Sequence, residues 1–283
     1  MHKLAPYYLI LPAGLLVIFY FSALSLLFAF SFYKFLGPAR MSAEITLAQY
    51  FKFFNDPFYL TYFYRSLKVA TWTTVVVLLL GYPTAYVMTR ASRPWRRLIT
   101  ILLIVHFFSS YVLRMYAVML ILGNNGLINR GLILSHVIEK PLKLMYNEFG
   151  VGVGLILGAL PLMVFPVSSV LANIHASLEE AAETLGADKA RVFWKITFPL
   201  CIPGIAAGVI LVFLYNLSAF VTPALLGGGF FDMVANFIYE QALAVFNYPM
   251  GGASSLLILL LALGIIFLLN RAFERFIRGI PLK

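Results

Sequence analysis

Charge is scarce in this chain: Asp, Glu, Lys and Arg together make up 11% of its 283 residues. A soluble domain carries about 25% charged and about 45–50% apolar residues. Here 62% are hydrophobic and the mean hydropathy is +0.92. That excludes an ordinary water-soluble domain and makes the lipid bilayer the fitting solvent. Cysteine is nearly missing too. The lone Cys201 excludes an intramolecular disulfide and any thiolate metal site. Four histidines, His2, His106, His136 and His175, are too far apart in sequence for ligand spacing. No G-x-x-x-x-G-K-[ST] run occurs, so the chain has no phosphate-cradling loop of its own and any ATP is bound elsewhere. Nor is there a nucleophile, base and orienting acid. His106 lies near Ser109 and Ser110, but no carboxylate joins them. The net charge of +10 would suggest nucleic acid in a soluble protein; in one this apolar it marks the flanks of membrane spans, and no nucleic acid is expected.

What is present is long apolar runs. A spanning helix needs about 20 such residues, because the hydrocarbon is about 30 Å thick and each residue rises about 1.5 Å. Six stretches qualify, approximately 8–33, 67–89, 98–122, 149–173, 201–222 and 251–271. The expected fold class is an all-α integral membrane protein of six transmembrane helices, with residues 1–283 forming a single domain. The first run is too long for a signal-peptide core of about 7–15 residues, and is expected to be a retained span. No sequence repeat relates the two halves, which gives an inverted-repeat carrier little support.

Lys and Arg orient the spans. With the N-terminus inside, twelve flank the inner ends, densest in RASRPWRR and the tail RAFERFIRGIPLK; eight fall outside and Arg114 stays within a span. Both termini are therefore expected in the cytoplasm. The outer segment 34–66 is rich in aromatics suited to an interface belt. The fourth stretch carries Gly152, Gly154, Gly158, Pro161 and Pro166, which fit close packing or a pathway lining. Arg114 is costly in the membrane and fits either a buried structural pair or a substrate gate. Tyr111, Tyr116, Tyr215, Asn216, Ser218 and Thr222 add polar groups in spans three and five, and with Arg114 they are the pathway candidates. Beyond span five, Gly227-Gly228-Gly229 and the Asp232/Glu240 pair fit a gate or a docking surface.

The exception to this apolarity is EEAAETLGADKARVFWKITFP at 179–199, within an expected inner loop 174–200. Ser177 and Glu180 are spaced as a capping box, and the acidic first turns suit the helix dipole. Gly186 suits the position that ends a helix. Asp188 is placed to cap a second helix, and Pro199 to stop it. Val192, Phe193 and Ile196 would pack back on the bundle, leaving the Glu-Ala helix to face a soluble partner.

Those residues carry a resemblance. Glu180-Ala181-Ala182, then Gly186, Ile196 and Pro199, stand at the spacing of the EAA loop of ABC importer permeases, with Phe198 where the family often has Leu. ITLAQYFKFFNDPFYL, LLGYPTAYVMTR, SSYVLRMYAVMLILGNNGLINRGL and FVTPALLGGG are similar to the polyamine-type permeases of spermidine/putrescine importers. His106 is a departure, since those relatives usually have proline there. The resemblance implies a type I ABC importer permease fold in a bacterial inner membrane. It implies that Glu180, Ala181, Ala182 and Gly186 contact an ATP-hydrolysing subunit, with Ile196 and Pro199 completing the loop. It further implies a second permease subunit, two ATPase copies holding ATP and Mg, and an extracytoplasmic solute-binding protein. No cofactor is expected on this chain.

Overall fold

The structure, a computed structural model, describes residues 5–278. Among the described residues six helices are long and apolar enough to cross a membrane: Pro12–Phe30, Pro57–Arg90, Tyr111–Leu134, Glu148–Ala172, Lys189–Leu217 and Tyr248–Arg275. The chain forms two compact units.

The first unit joins the described residues up to Phe63 with Val234–Leu261. It contains α1 (Ala5–Phe30), an antiparallel hairpin of β1 (Tyr33–Gly37) and β2 (Arg40–Ile45), α2 (Ala48–Asn55) and the first turns of α3 (Pro57–Arg90). The hairpin is the unanticipated element in an otherwise helical chain. Its aromatic segment is also not simply an interface belt. Phe53, Tyr59 and Phe63 are buried with Val234, Phe237 and Met250, and the Phe53 and Phe63 rings meet edge to face at 4.6 Å. Phe51, Phe54 and Phe58 stay exposed. One helical face buries its rings and the other offers them outward.

The second unit, Tyr64–Met233 with the described residues from Ala262, holds the candidate site. It includes most of α3, then α4 (Arg93–Phe108), α5 (Tyr111–Leu122), α6 (Leu127–Leu134), α7 (Glu148–Ala172), α8 (Ala176–Thr184), α9 (Lys189–Val192) and α10 (Phe198–Leu217). Helices α7 and α10 form its centre, around Met163, Val164, Val167, Ile205 and Val212. The third apolar stretch, read as one run, is broken: Ser109 and Ser110 are extended between α4 and α5. Ser109 Oγ donates to the His106 carbonyl at 2.9 Å, a local bond that competes with continuing the helix.

The glycines of α7 sit in different surroundings. A Cβ on Gly152 would lie 2.1 Å from Trp72, so that position is for packing. One on Gly158 would meet the Tyr215 hydroxyl at 2.8 Å, inside a cavity.

Two expectations fail in the 174–200 segment. Ser177 is not a cap: α8 begins at Ala176, with His175 at the N-cap position making no side-chain bond. The helix starts two residues earlier than the S-x-x-E pattern implies. Pro199 stops nothing either. The chain is helical from Lys189 to Leu217, through a π-helical turn at Phe193–Thr197. Proline lacks the N–H that would bond Lys195, and the preceding turn widens instead, Phe198 N–H reaching back five residues to the Phe193 carbonyl.

Candidate functional site

A cavity of about 450 Å³ opens among α4, α5, α7 and the end of α10. Of the residues proposed from sequence, Tyr111, Arg114, Tyr215 and Ser218 line it, together with Gly158, Phe107, Leu162 and Phe220. Three others are elsewhere. Thr222 is buried behind the wall, hydrogen-bonded to the Tyr111 hydroxyl and 3.6 Å from Met115 Sδ. Asn216 is buried and donates to Thr73 Oγ1 at 2.9 Å, joining α10 to α3. Tyr116 is 51% exposed and does not line the cavity.

The chemistry of the cavity turns on Arg114. Placing such a charge in a bilayer costs about 2.5–3.5 kcal/mol on insertion scales. Its guanidinium lies 5.3 Å from the Tyr111 ring centroid, a contact that returns about 0.5–2 kcal/mol. Nη1 is 3.0 Å from His106 Nε2, and Nε is buried with no protein acceptor. His106 Nε2 is also 2.8 Å from the Leu157 carbonyl. That carbonyl would ordinarily bond the N–H of residue 161, which is Pro161 and has none. An orphaned carbonyl in the membrane is expensive, so the imidazole is placed as Nε2–H donating to Leu157. The same nitrogen then has no lone pair for Arg114. No carboxylate lines the cavity. Arg114 thus brings a cation to a wall that is otherwise aromatic and aliphatic, with Ser218 the one further polar residue besides the tyrosines. Sequence reading missed the role of His106; the signal was a polar residue in the span preceding a proline-containing one.

The second candidate region is α8 and its flanks. Helix α8 buries no residue. It ends as anticipated: Gly186 takes φ +85°, its N–H bonds the Glu183 carbonyl at 2.9 Å, and the Ala187 N–H bonds Ala182 at 3.0 Å. This is a Schellman closure, which favours glycine at that position. Asp188 caps α9 through the Arg191 N–H at 3.2 Å. Glu180 and Ala181 are exposed, and Ala182 is half-buried. Leu185 is 89% exposed. Ile196 and Pro199 are half-buried in the helix that follows. Glu179, unnamed among the candidates, turns inward, where its Oε1 takes the Arg90 guanidinium and the Thr197 hydroxyl, the latter at 2.8 Å. Consecutive helical residues point about 100° apart, so a Glu-Glu pair must divide its directions. That is the sequence signal for Glu179.

At the opposite end of α7, Asn147 caps the helix through the Gly150 N–H at 2.9 Å, and Lys68 pairs with Glu148 at 2.7 Å. Gly228 and Gly229 have positive φ, and a Cβ on Gly228 would meet the Tyr146 ring at 2.3 Å. Arg65 lies over the Phe231 ring, its guanidinium carbon 5.2 Å from the centroid. Burial raises the Asp232 carboxyl above its ordinary value, and Arg65 offsets only part of that. Among the described residues no three His, Cys, Asp or Glu side chains gather as a metal site.

A bundle of apolar helices around a half-open cavity that holds one cation, with one charged helix left uncovered, fits a membrane transport subunit. The chain belongs to the family of binding-protein-dependent transport system inner membrane components, whose model matches residues 77–280. It is 32% identical over 258 residues to the spermidine/putrescine transport system permease protein PotB of Haemophilus influenzae, covering 91% of this chain and 90% of that protein. The protein of the same name from Escherichia coli is 33% identical over 243 residues, 86% of this chain and 88% of that one. In architecture it resembles a chain of a bacterial alginate ABC transporter solved in complex with an alginate pentasaccharide-bound periplasmic protein. There the TM-score is 0.73 at 18% identity, over 96% of each chain. The protein is thus a multi-pass inner-membrane permease subunit of an ABC importer.

Proposed function

We propose that this chain forms half of the translocation pathway of an importer for a polyamine such as spermidine or putrescine. A second permease subunit would supply the other half. Two copies of a cytoplasmic ATPase would hold the ATP and Mg, and an extracytoplasmic binding protein would deliver the solute. The observation that carries the solute class is the 32–33% identity to PotB over nearly the whole chain. Residues 1–283 act as one transmembrane domain with both termini cytoplasmic. Tyr111, Arg114, Tyr215 and Ser218 face the solute. Thr222 and Asn216 hold the wall from behind.

Docking falls to α8. Its exposed Glu180 and Ala181, with the half-buried Ala182 beside them, belong to a short helix that buries none of its residues and is suited to entering a groove. Gly186 ends that helix, and Ile196 and Pro199 root it in the following span. ATP binding would bring the two docking helices of the importer together and turn the cavity outward; hydrolysis would return it.

One observation favours a second solute reading. Arg114 puts a cation on a cavity wall that has no acid, which suits a solute that carries a carboxylate as well as an amine, such as an amino-acid-like or opine-like compound. Under the polyamine reading the ammonium groups lie against the Tyr111, Tyr215 and Phe220 rings, and any acid comes from the second permease. Purification of the importer from its own membrane with the loaded binding protein, followed by identification of the solute, decides between them. Spermidine or putrescine supports the first reading, and an amino acid derivative the second. Isolation of the chain with no ATPase would overturn both.

A further inference from the structure

Helix α8 is poorly anchored by apolar packing, since none of its residues is buried. Its side-chain link to the rest of the unit runs through one carboxylate. Glu179 Oε1 accepts from Arg90, the last residue of α3, and from Thr197 Oγ1 in the π-helical turn that leads into α10. Thr197 is 1% exposed, and the Glu179 side chain is 19% exposed. The bonds are therefore shielded enough to hold better than surface ion pairs. Arg90 is steadied further by the Tyr86 ring, 5.9 Å away.

The two helices that Glu179 joins are joined again at depth. Thr73 of α3 accepts from Asn216 of α10 at 2.9 Å, both buried. Asn216 is the neighbour of Tyr215 on the cavity wall. Thr197 and Tyr215 lie on one continuous helical run, 18 residues or about 27 Å apart at about 1.5 Å per residue. A displacement of α8 thus reaches the cavity along two rods that share a lower and an upper brace.

We propose that Glu179 is the positioning residue that converts movement of α8 into joint movement of α3 and α10. It divides the labour of the Glu-Glu pair: Glu180 faces outward, and Glu179 ties the helix to the pathway. The inference rests on reading α8 as the ATPase-docking helix. Glu183, Lys189 and Phe193 lie around the same joint, but the paired bonds to two spans belong to Glu179.

The test uses the whole importer in proteoliposomes with loaded binding protein, comparing uptake with ATP hydrolysed. Glu179→Ala should still assemble and hydrolyse ATP, while uptake per ATP falls about tenfold, the size of effect expected from a lost charge-assisted pair. Thr197→Val should fall less. The exchange variant R90E/E179R should recover uptake several-fold over either single change. Full coupling in Glu179→Ala overturns the proposal, as does an exchange variant no better than the singles. Loss of ATPase assembly in Glu179→Ala would make Glu179 a docking contact and overturn it also. Amide hydrogen exchange on the isolated full chain in nanodiscs separates this from the docking reading. Exchange across 176–186 should quicken about tenfold in Glu179→Ala and slow again in R90E/E179R. Unchanged exchange in Glu179→Ala would refute the latch even if the ATPase binds; a wild-type chain that binds no ATPase, with exchange still quickened in Glu179→Ala, would refute the docking reading alone.

Discussion

At the scale of single residues, His106 shows how a polar side chain earns a place in lipid. Its Nε2 sits 2.8 Å from the carbonyl that Pro161 leaves unpaired. His106→Ala should destabilise the chain in detergent by about 1–3 kcal/mol, the cost of a buried acceptor left unsatisfied. His106→Gln, which can donate from its amide, should recover most of that; equal losses in thermal unfolding would refute the account. Asp232 makes a pH prediction. Its folded pKa lies above the ordinary carboxylate value, so the folded state holds the proton more tightly than the unfolded chain. That contribution is present at pH below the unfolded value near 3.8 and is lost as pH rises through the folded one. Asp232→Asn should therefore gain on the wild type between pH 4 and neutrality, by about 2 °C in melting temperature. A gain that shrank as pH rose would contradict the sign.

At the scale of elements, α8 and its closing turn carry the argument. Gly186 has φ +85° with nothing within 4 Å of an added Cβ, so a side chain there meets strain and no clash. Gly186→Val should cost about 1–2 kcal/mol from the left-handed backbone. Gly186→Asn should cost less, since Asn tolerates that region. Gly186→Asp, equally small, would separate backbone from docking: we expect ATP-coupled uptake to fall while membrane insertion persists, and normal uptake would refute docking at this turn. The segment was largely legible, because a Schellman glycine and an Asp cap follow local rules. Two features were not. Pro199 looked like a stop, but a π-helical turn absorbs its missing N–H while packing carries the helix on. The capping box at Ser177 failed because the pattern fits any helix whose first turn holds S-x-x-E, and α8 had already begun.

At the scale of the whole molecule, orientation is the open and testable quantity. Cys201 is the only cysteine and is buried, so Cys201→Ala supplies a background with no thiol. In it, Leu134→Cys and Leu185→Cys, both at exposed positions, should behave oppositely. An impermeant maleimide should label the first in intact cells and the second only after permeabilisation. The reverse pattern would invert the positive-inside reading. The membrane class, the six apolar helices and the exposed charged helix followed from the sequence by itself, because length, hydropathy and cap chemistry are properties of short windows. Tertiary structure decided the rest. It put Tyr111, Arg114, Tyr215 and Ser218 around one cavity and left Tyr116 outside. It paired Asn216 with Thr73, 143 residues away, and turned Glu179 inward beside Arg90 and Thr197. Which side of a helix meets which neighbour depends on packing between distant segments, and an apolar helix in lipid carries no polar face to announce it.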